Sequence, residues 1–307
     1  MDADLDTLAT ALYVTADDLL KDHPERVPAR SVTGFQARIT DAELVTLAVI
    51  QALLQIPKER RFLRYARRHL IGMFPDLPGQ SSYNRRLRAL AGTMAWLTTQ
   101  LAAATSVFTD DLWVVDSTPV ECGRSRETTK RSGLAGWAQY GYCASHTRFF
   151  WGLRLHLIAT RHGLPITWAL AGAKADEREV FEDMLGLLPP HLAAAVAQEG
   201  QATMGDKNYY GRGFEQRLSE GGITVIRPTR KGEKPRPGSA LFRPLRQVIE
   251  SIFDTFKDQL DLERHAGRTP AGVLGRIATR ILALTTAIWH NDRISAPVLR
   301  SLTAYDH

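Results

Sequence analysis

The stretch D-L-W-V-V-D-S-T-P-V, residues 111–120, marks the place where the chain changes character. Leu112 to Val115 form a short apolar run bounded by acids, and such a run predicts a buried strand ending at Asp116. Downstream, W-G-L-R-L-H-L-I-A-T (151–160) alternates, and L-P-I-T-W-A-L-A (164–171) follows a His162-Gly163 turn. The three read as an antiparallel meander. Next come an acidic-started helix (175–188), a strand with a glycine-rich exit, A-T-M-G-D-K-N-Y-Y-G (202–211), a short helix (213–218) and a fifth strand, G-I-T-V-I-R-P (222–228). Helices over R-Q-V-I-E-S-I-F-D-T-F-K (246–257) and Ala271 to His290 close the chain, the last apolar enough to cover a sheet. The order β-β-β-α-β-α-β-α-α predicts an α/β fold with a mixed five-stranded sheet and flanking helices.

Upstream of residue 106 the chain reads as a small all-helical N-terminal domain. Thr40-Asp41-Ala42-Glu43 is a capping box before the apolar run Leu44 to Leu54. In P-K-E-R-R-F-L-R-Y-A-R-R-H-L (57–70), Arg60, Arg64, Arg67 and Arg68 share a face away from Phe62, Leu63, Ala66 and Leu70. After a Pro/Gly turn, S-S-Y-N-R-R-L-R-A-L begins with a serine cap and presents Asn84, Arg85 and Arg88 outward. Small helices with basic outer faces suit a helix-turn-helix-like DNA module. Two domains are expected, 1–105 and 106–307.

Charge distribution points the same way. The net charge of +6 is gathered in blocks: residues 57–90 hold 9 basic and 2 acidic side chains, and residues 227–246 hold 7 and 1. Blocks of this kind resemble a footprint for a polyanion. No uninterrupted apolar run reaches the ~18 residues that span a bilayer. An acidic N-terminus and only two cysteines, Cys122 and Cys143, suit a reduced, cytoplasmic protein with no membrane partner, and DNA binding through the basic blocks would associate it with the nucleoid.

Three acids stand at telling places. Asp116 closes the first strand, Asp206 the fourth, and Glu250 lies on the helix after the fifth. Oxygen ligands without cysteine suit Mg²⁺ or Mn²⁺, and two such ions can serve phosphodiester chemistry. Lys207 follows Asp206 directly, and Arg246 and Lys257 lie four and seven residues from Glu250 on one helical stripe. Asp254 is the rival carboxylate one turn on. In the loop after the first strand, Arg124, Arg126, Lys130 and Arg131 precede Trp137, Tyr140 and Tyr142. That mixture suits either nucleic-acid binding, with stacking on an unpaired base, or a solvated loop over core aromatics. His156 reads as a satisfied core histidine, Asp176, Glu177 and Glu179 as helix-start acids, and Ser117-Thr118 as a turn.

The blocks V-D-S-T, G-D-K-N-Y-Y-G and R-x-x-x-E-x-x-x-x-x-x-K resemble the catalytic blocks of the DDE transposases encoded by bacterial insertion sequences, over residues ~109–290. The family's third block usually opens with tyrosine, where Arg243 stands here. The resemblance implies an RNase H-like core and a metal triad of Asp116, Asp206 and Glu250 holding two Mg²⁺ or Mn²⁺ ions. It implies binding of terminal inverted repeats by the helical domain, cleavage and strand transfer into target DNA, and a homodimer in the synaptic complex. Arg246 and Lys257 would neutralise phosphates there. Two alternatives stay open on sequence grounds: an enzyme of the same fold that only hydrolyses DNA, and a transposase-derived DNA-binding protein without catalysis.

Overall fold

A computed structural model describes residues 3–29, 38–123, 125–143, 147–234, 236 and 242–305. The chain divides into two compact units, one comprising Met1–Thr105 with Thr255–His307, the other Ser106–Asp254.

The first unit is helical. It contains α1 (Ala3–Asp22), α2 (Asp41–Leu53), α3 (Glu59–His69), α4 (Gln80–Ala89) and α5 (Ala91–Ala103). Both halves of the capping box form at α2: the Glu43 amide donates to Thr40 Oγ1 at 3.1 Å, and the Thr40 amide to Glu43 Oε2 at 2.6 Å. No serine caps α4, which starts after Gly79 without a side-chain cap. Gly79 takes the N-cap position in extended backbone, one residue before the helix begins at Gln80, so the serines fall inside the first turn.

The helix expected to cover the sheet, α11 (Pro270–Arg293), packs instead against α5, α2 and α4. It is long and apolar enough to cross a membrane, yet 83% of its most apolar window is buried in the protein. A helix apolar all round gives no sign of which partner it covers. Polar side chains fix the helix register here. Glu59 Oε1 accepts from Arg276 Nη2 at 2.5 Å and from Asn84 Nδ2 at 2.7 Å, so Asn84 is tied inward rather than presented to solvent.

The second unit is built on a mixed sheet. Its strands are β1 (Leu112–Gly123), β2 (Gln139–Cys143), β3 (Arg148–Thr160), β4 (Pro165–Gly172), β5 (Gln201–Met204) and β6 (Ile223–Ile226). The order is β2-β3-β1-β5-β6, with β4 on β3; β1, β3 and β4 are antiparallel, while β5 and β6 run parallel to β1. A three-strand antiparallel meander continued by two parallel strands is the RNase H-like arrangement. The sheet has one strand more than expected, because β2 pairs with the first half of β3. Helices α6 (Arg126–Arg131), α7 (Glu177–Gly186), α8 (Pro190–Glu199), α9 (Arg212–Glu220) and α10 (Phe242–Asp254) complete the unit. Central β1 buries Trp113, Val114 and Val115 at 0–2% exposure, as a strand covered on both faces requires.

Candidate active site

Asp116 is not at a strand end. β1 continues seven residues further, and Ser117 and Thr118 are mid-strand rather than in a turn. What ends near Asp116 is the neighbouring strand. The parallel register joins Leu112 to Ala202, Trp113 to Thr203 and Val114 to Met204, after which β5 stops. Carrying that register two residues further sets Asp116 abreast of Asp206. The two acids therefore meet where β1 loses its neighbour, at the carboxyl end of β5.

The turn after β5 is shaped by close packing. A Cβ on Gly205 would lie 2.6 Å from the ring of Tyr209, so only glycine admits that ring. Tyr209 is fully buried, edge-on to Phe181 at 5.8 Å, and its hydroxyl meets no hydrogen-bond partner. Asp206 Oδ1 accepts from the Asn208 amide at 2.6 Å, and Asp116 Oδ1 from the Ser117 amide at 2.7 Å. Tyr210 is flanked by cations, with the Arg230 guanidinium 3.5 Å and that of Arg178 5.5 Å from its ring centre.

Electrostatics identify the site as one short of positive charge. Part of Asp116 remains open to solvent, yet enclosure by protein pushes its carboxyl up to about 7; the charges of Glu177 and Asp206 add to this, against the Ser117 amide and Arg154. Burial also raises Asp206, again helped by Glu177 and opposed by the Asn208 amide, Lys207 and Arg246. Two neighbouring carboxylates that resist ionisation, beside an unpartnered hydroxyl, form a donor set that a hard divalent cation would relieve.

Glu177 is the residue that sequence reasoning underrated. It begins α7, as expected of a helix-start acid, but its Oε1 accepts from Ser117 Oγ at 2.7 Å and from Arg154 Nη1 at 3.2 Å. Arg154 Nη1 also donates to Ser117 Oγ at 2.6 Å. The triangle clips α7 to β1 and β3 one residue from Asp116. The one sequence signal was an arginine inside the apolar alternation of β3, which demands a buried partner. Asp176, by contrast, is a cap: it accepts from the Arg178 amide at 2.9 Å, and the Arg178 side chain holds it down at about 2. His156 is fully buried as expected but not satisfied. Neither ring nitrogen has a partner, and burial lowers it to about 4.

Glu250 lies on α10, which packs against β1, the strand of Asp116. Its carboxylate is exposed and bound to Arg246 Nε at 2.7 Å. Among the described residues, no group of three His, Cys, Asp or Glu side chains stands ready around one ion. Asp116 and Asp206 are thus brought together, while Glu250 is engaged by Arg246 one helical turn away. Arg246 itself bears electrostatically on Asp206. Lys257 falls in a π-helical turn, Thr255–Gln259, so a spacing of 3.6 residues per turn no longer relates it to Glu250. The side chain of Arg243 lies outside the described residues, and so does Arg124.

The remaining candidates divide by exposure. Lys207, Arg126, Lys130, Arg131, Arg64, Arg67 and Arg85 are exposed, and Arg88 is half-buried. Arg67 directs its guanidinium to the carbonyls of Leu63 and Pro78. The basic block at 227–246 is less open than its charge count implies. Arg227 is buried between Glu215 and Glu233, at 2.9 and 2.8 Å, and Arg236 reaches Glu215 at 2.6 Å. Arg230, Lys231 and Lys234 stay exposed.

The solved structures that the chain resembles include two transposase complexes, at low similarity. One is the piggyBac transposase synaptic complex with hairpin DNA, at 8% identity and TM-score 0.41, covering 95% of this chain and 80% of that one. The other is the Mos1 mariner paired end complex with Mn, at 12% identity and TM-score 0.27, covering 95% and 96%. No curated protein matches the chain. Residues 108–286 match the family model described as the transposase DDE domain, and because that segment is more than half of the 307 residues, the chain belongs to the DDE transposase family.

Proposed function

We propose that this transposase cuts DNA at the ends of a mobile element and joins the freed ends to target DNA, with Asp116, Asp206 and Glu250 as its catalytic carboxylates. What supports the reading is the β1–β5 register, which brings Asp116 abreast of Asp206 when continued two residues past its last pair, together with the Asp206 charge felt at Asp116. Magnesium or manganese ions, two per site, would be held by Asp116 and Asp206 with Glu250 completing the set; when bound they supply charge neutralisation and an acidified water for phosphodiester cleavage. Glu250 joins the aspartates when Arg246 turns from it to a DNA phosphate, an exchange that swaps one weak exposed ion pair for another. Lys207, beside Asp206, binds the backbone near the scissile bond, and Lys257 binds DNA phosphate. The Ser117–Glu177–Arg154 triangle holds the stretch of β1 that carries Asp116 in place.

The helical segment 1–105, through Arg64, Arg67, Arg85 and Arg88, binds the terminal repeats as duplex, and two copies of the chain bring two ends together. Binding by these cations falls steeply with salt. The decisive experiment is cleavage of a DNA fragment bearing the element's ends, with Mg²⁺ or Mn²⁺. Asp206→Asn is expected to abolish cleavage while leaving end binding intact. Cleavage that persists in that variant would overturn the site. Joined products separate a transposase from an enzyme that only hydrolyses.

A further inference from the structure

We propose that the β2–β3 edge of the sheet is a stacking platform for unpaired nucleotides of the DNA the enzyme handles. Tyr142 pairs with Phe149 across the two strands, and Tyr140 lies two residues before Tyr142, so all three rings share one face. Tyr142, Phe149 and Tyr140 are 45%, 79% and 50% exposed, at an outer edge of the sheet. The Tyr142 and Phe149 rings stand 5.0 Å apart and tilted by 57°, and among the described residues both keep much of their surface in solvent. Exposed aromatics beside a sheet edge invite aggregation unless something uses them.

The rim says what that something is. Helix α6 lies against Tyr140, with Thr129 Oγ1 3.3 Å from the tyrosine hydroxyl. Arg126, Thr129, Lys130 and Tyr140 line an open cleft of about 460 Å³. Arg126, Lys130 and Arg131 are all exposed, against the single acid Glu127 on the same helix. Aromatic faces bordered by cations and hydroxyls match bases joined by phosphates. A duplex hides its base faces in the stack, so this surface is useful only to bases that are unpaired. Such bases arise at a cut end or wherever a strand is opened. The inference rests on the DNA-processing function proposed above, since only that supplies the ligand.

The test measures binding of the full chain to a fluorescent blunt duplex and to the same duplex carrying a short single-stranded tail. The tail is expected to tighten binding. Tyr142→Ala and Phe149→Ala should each remove about tenfold of that gain while leaving the blunt duplex and the salt slope unchanged. Lys130→Gln should instead lower the slope of log affinity against log salt by about 0.7. Phe149→Trp, at a position exposed enough to accept any ring, should retain the gain and report the tail by fluorescence quenching relative to the wild type. That variant keeps the test decisive if the alanine variants misfold. A tail that adds nothing to duplex binding overturns the platform alone. So does an indole that stays unquenched in a Phe149→Trp protein that binds the tail. A chain that binds neither DNA overturns the DNA-processing function with it. Ring variants that change the oligomeric state and not tail affinity would show that a second copy, not DNA, covers the face.

Discussion

Replacing Asp116 by asparagine is expected to stabilise the metal-free protein, and to do so more at high pH than at low. The carboxyl is raised from 3.8 to about 7, chiefly by burial. A folded-state value above the unfolded one means that ionisation costs folding free energy. That cost is absent below the unfolded value, grows as pH rises, and is complete above about 7. The full shift corresponds to about 4 kcal/mol as an upper bound, and the part that develops between about pH 5 and pH 8 to roughly 2.7 kcal/mol. Asp116 is partly open to water, so a relaxed site retains less, of order 1 kcal/mol.

Asparagine keeps the acceptor for the Ser117 amide, so the substitution removes charge and little else. Thermal melts of both proteins in a chelator, at the two pH values, should show the variant gaining about 2–4 °C more at the higher one. Added Mn²⁺ should then raise the melting point of the wild type and leave the Asp116→Asn protein behind. A pH-independent difference, or a variant less stable at high pH, would refute the claim that this carboxyl is held at the expense of folding stability.

Glu177→Gln keeps one side-chain oxygen to accept from Ser117 and Arg154 but removes a charge that raises Asp116 and Asp206, so the acidic limb of the cleavage profile should move to lower pH. Loss of cleavage at every pH in a folded Glu177→Gln protein would instead make Glu177 the third ligand and dismiss Glu250. Gly205→Ala forces a methyl to within 2.6 Å of the Tyr209 ring and should cost about 1–3 kcal/mol, read as a lower denaturant midpoint; an unchanged midpoint would mean that the turn is loose. Arg227→Leu removes the buried cation between Glu215 and Glu233 and should lower the denaturant midpoint, only in part because Glu215 keeps Arg236 and both carboxylates reach solvent; an unchanged midpoint would show that the cluster adds nothing to folding.

What could be read from sequence follows from how each element is buried. β1 is covered on both faces, so its run of Trp and Val announces a strand. β2 pairs along one edge and keeps two tyrosines in solvent, so Q-Y-G-Y-C has neither an apolar run nor a clean alternation and reads as loop. α11 is buried around most of its circumference despite Arg276 and Arg280, and its apolar composition fixes burial without fixing the partner; its place with α5 and α2 emerges only from packing. The same division holds at the site. Asp116 and Asp206 are each visible as an acid beside an apolar run, but nothing local joins them. Their neighbourhood comes from the constant offset of 90 between β1 and β5, set by Leu112 on Ala202 and carried forward two pairs beyond the last hydrogen-bonded one. Glu177 has no such run beside it. It reaches the site because Arg154, half-buried in β3, takes a carboxylate and α7 delivers one, so its role follows from a neighbour's charge and not from its own surroundings.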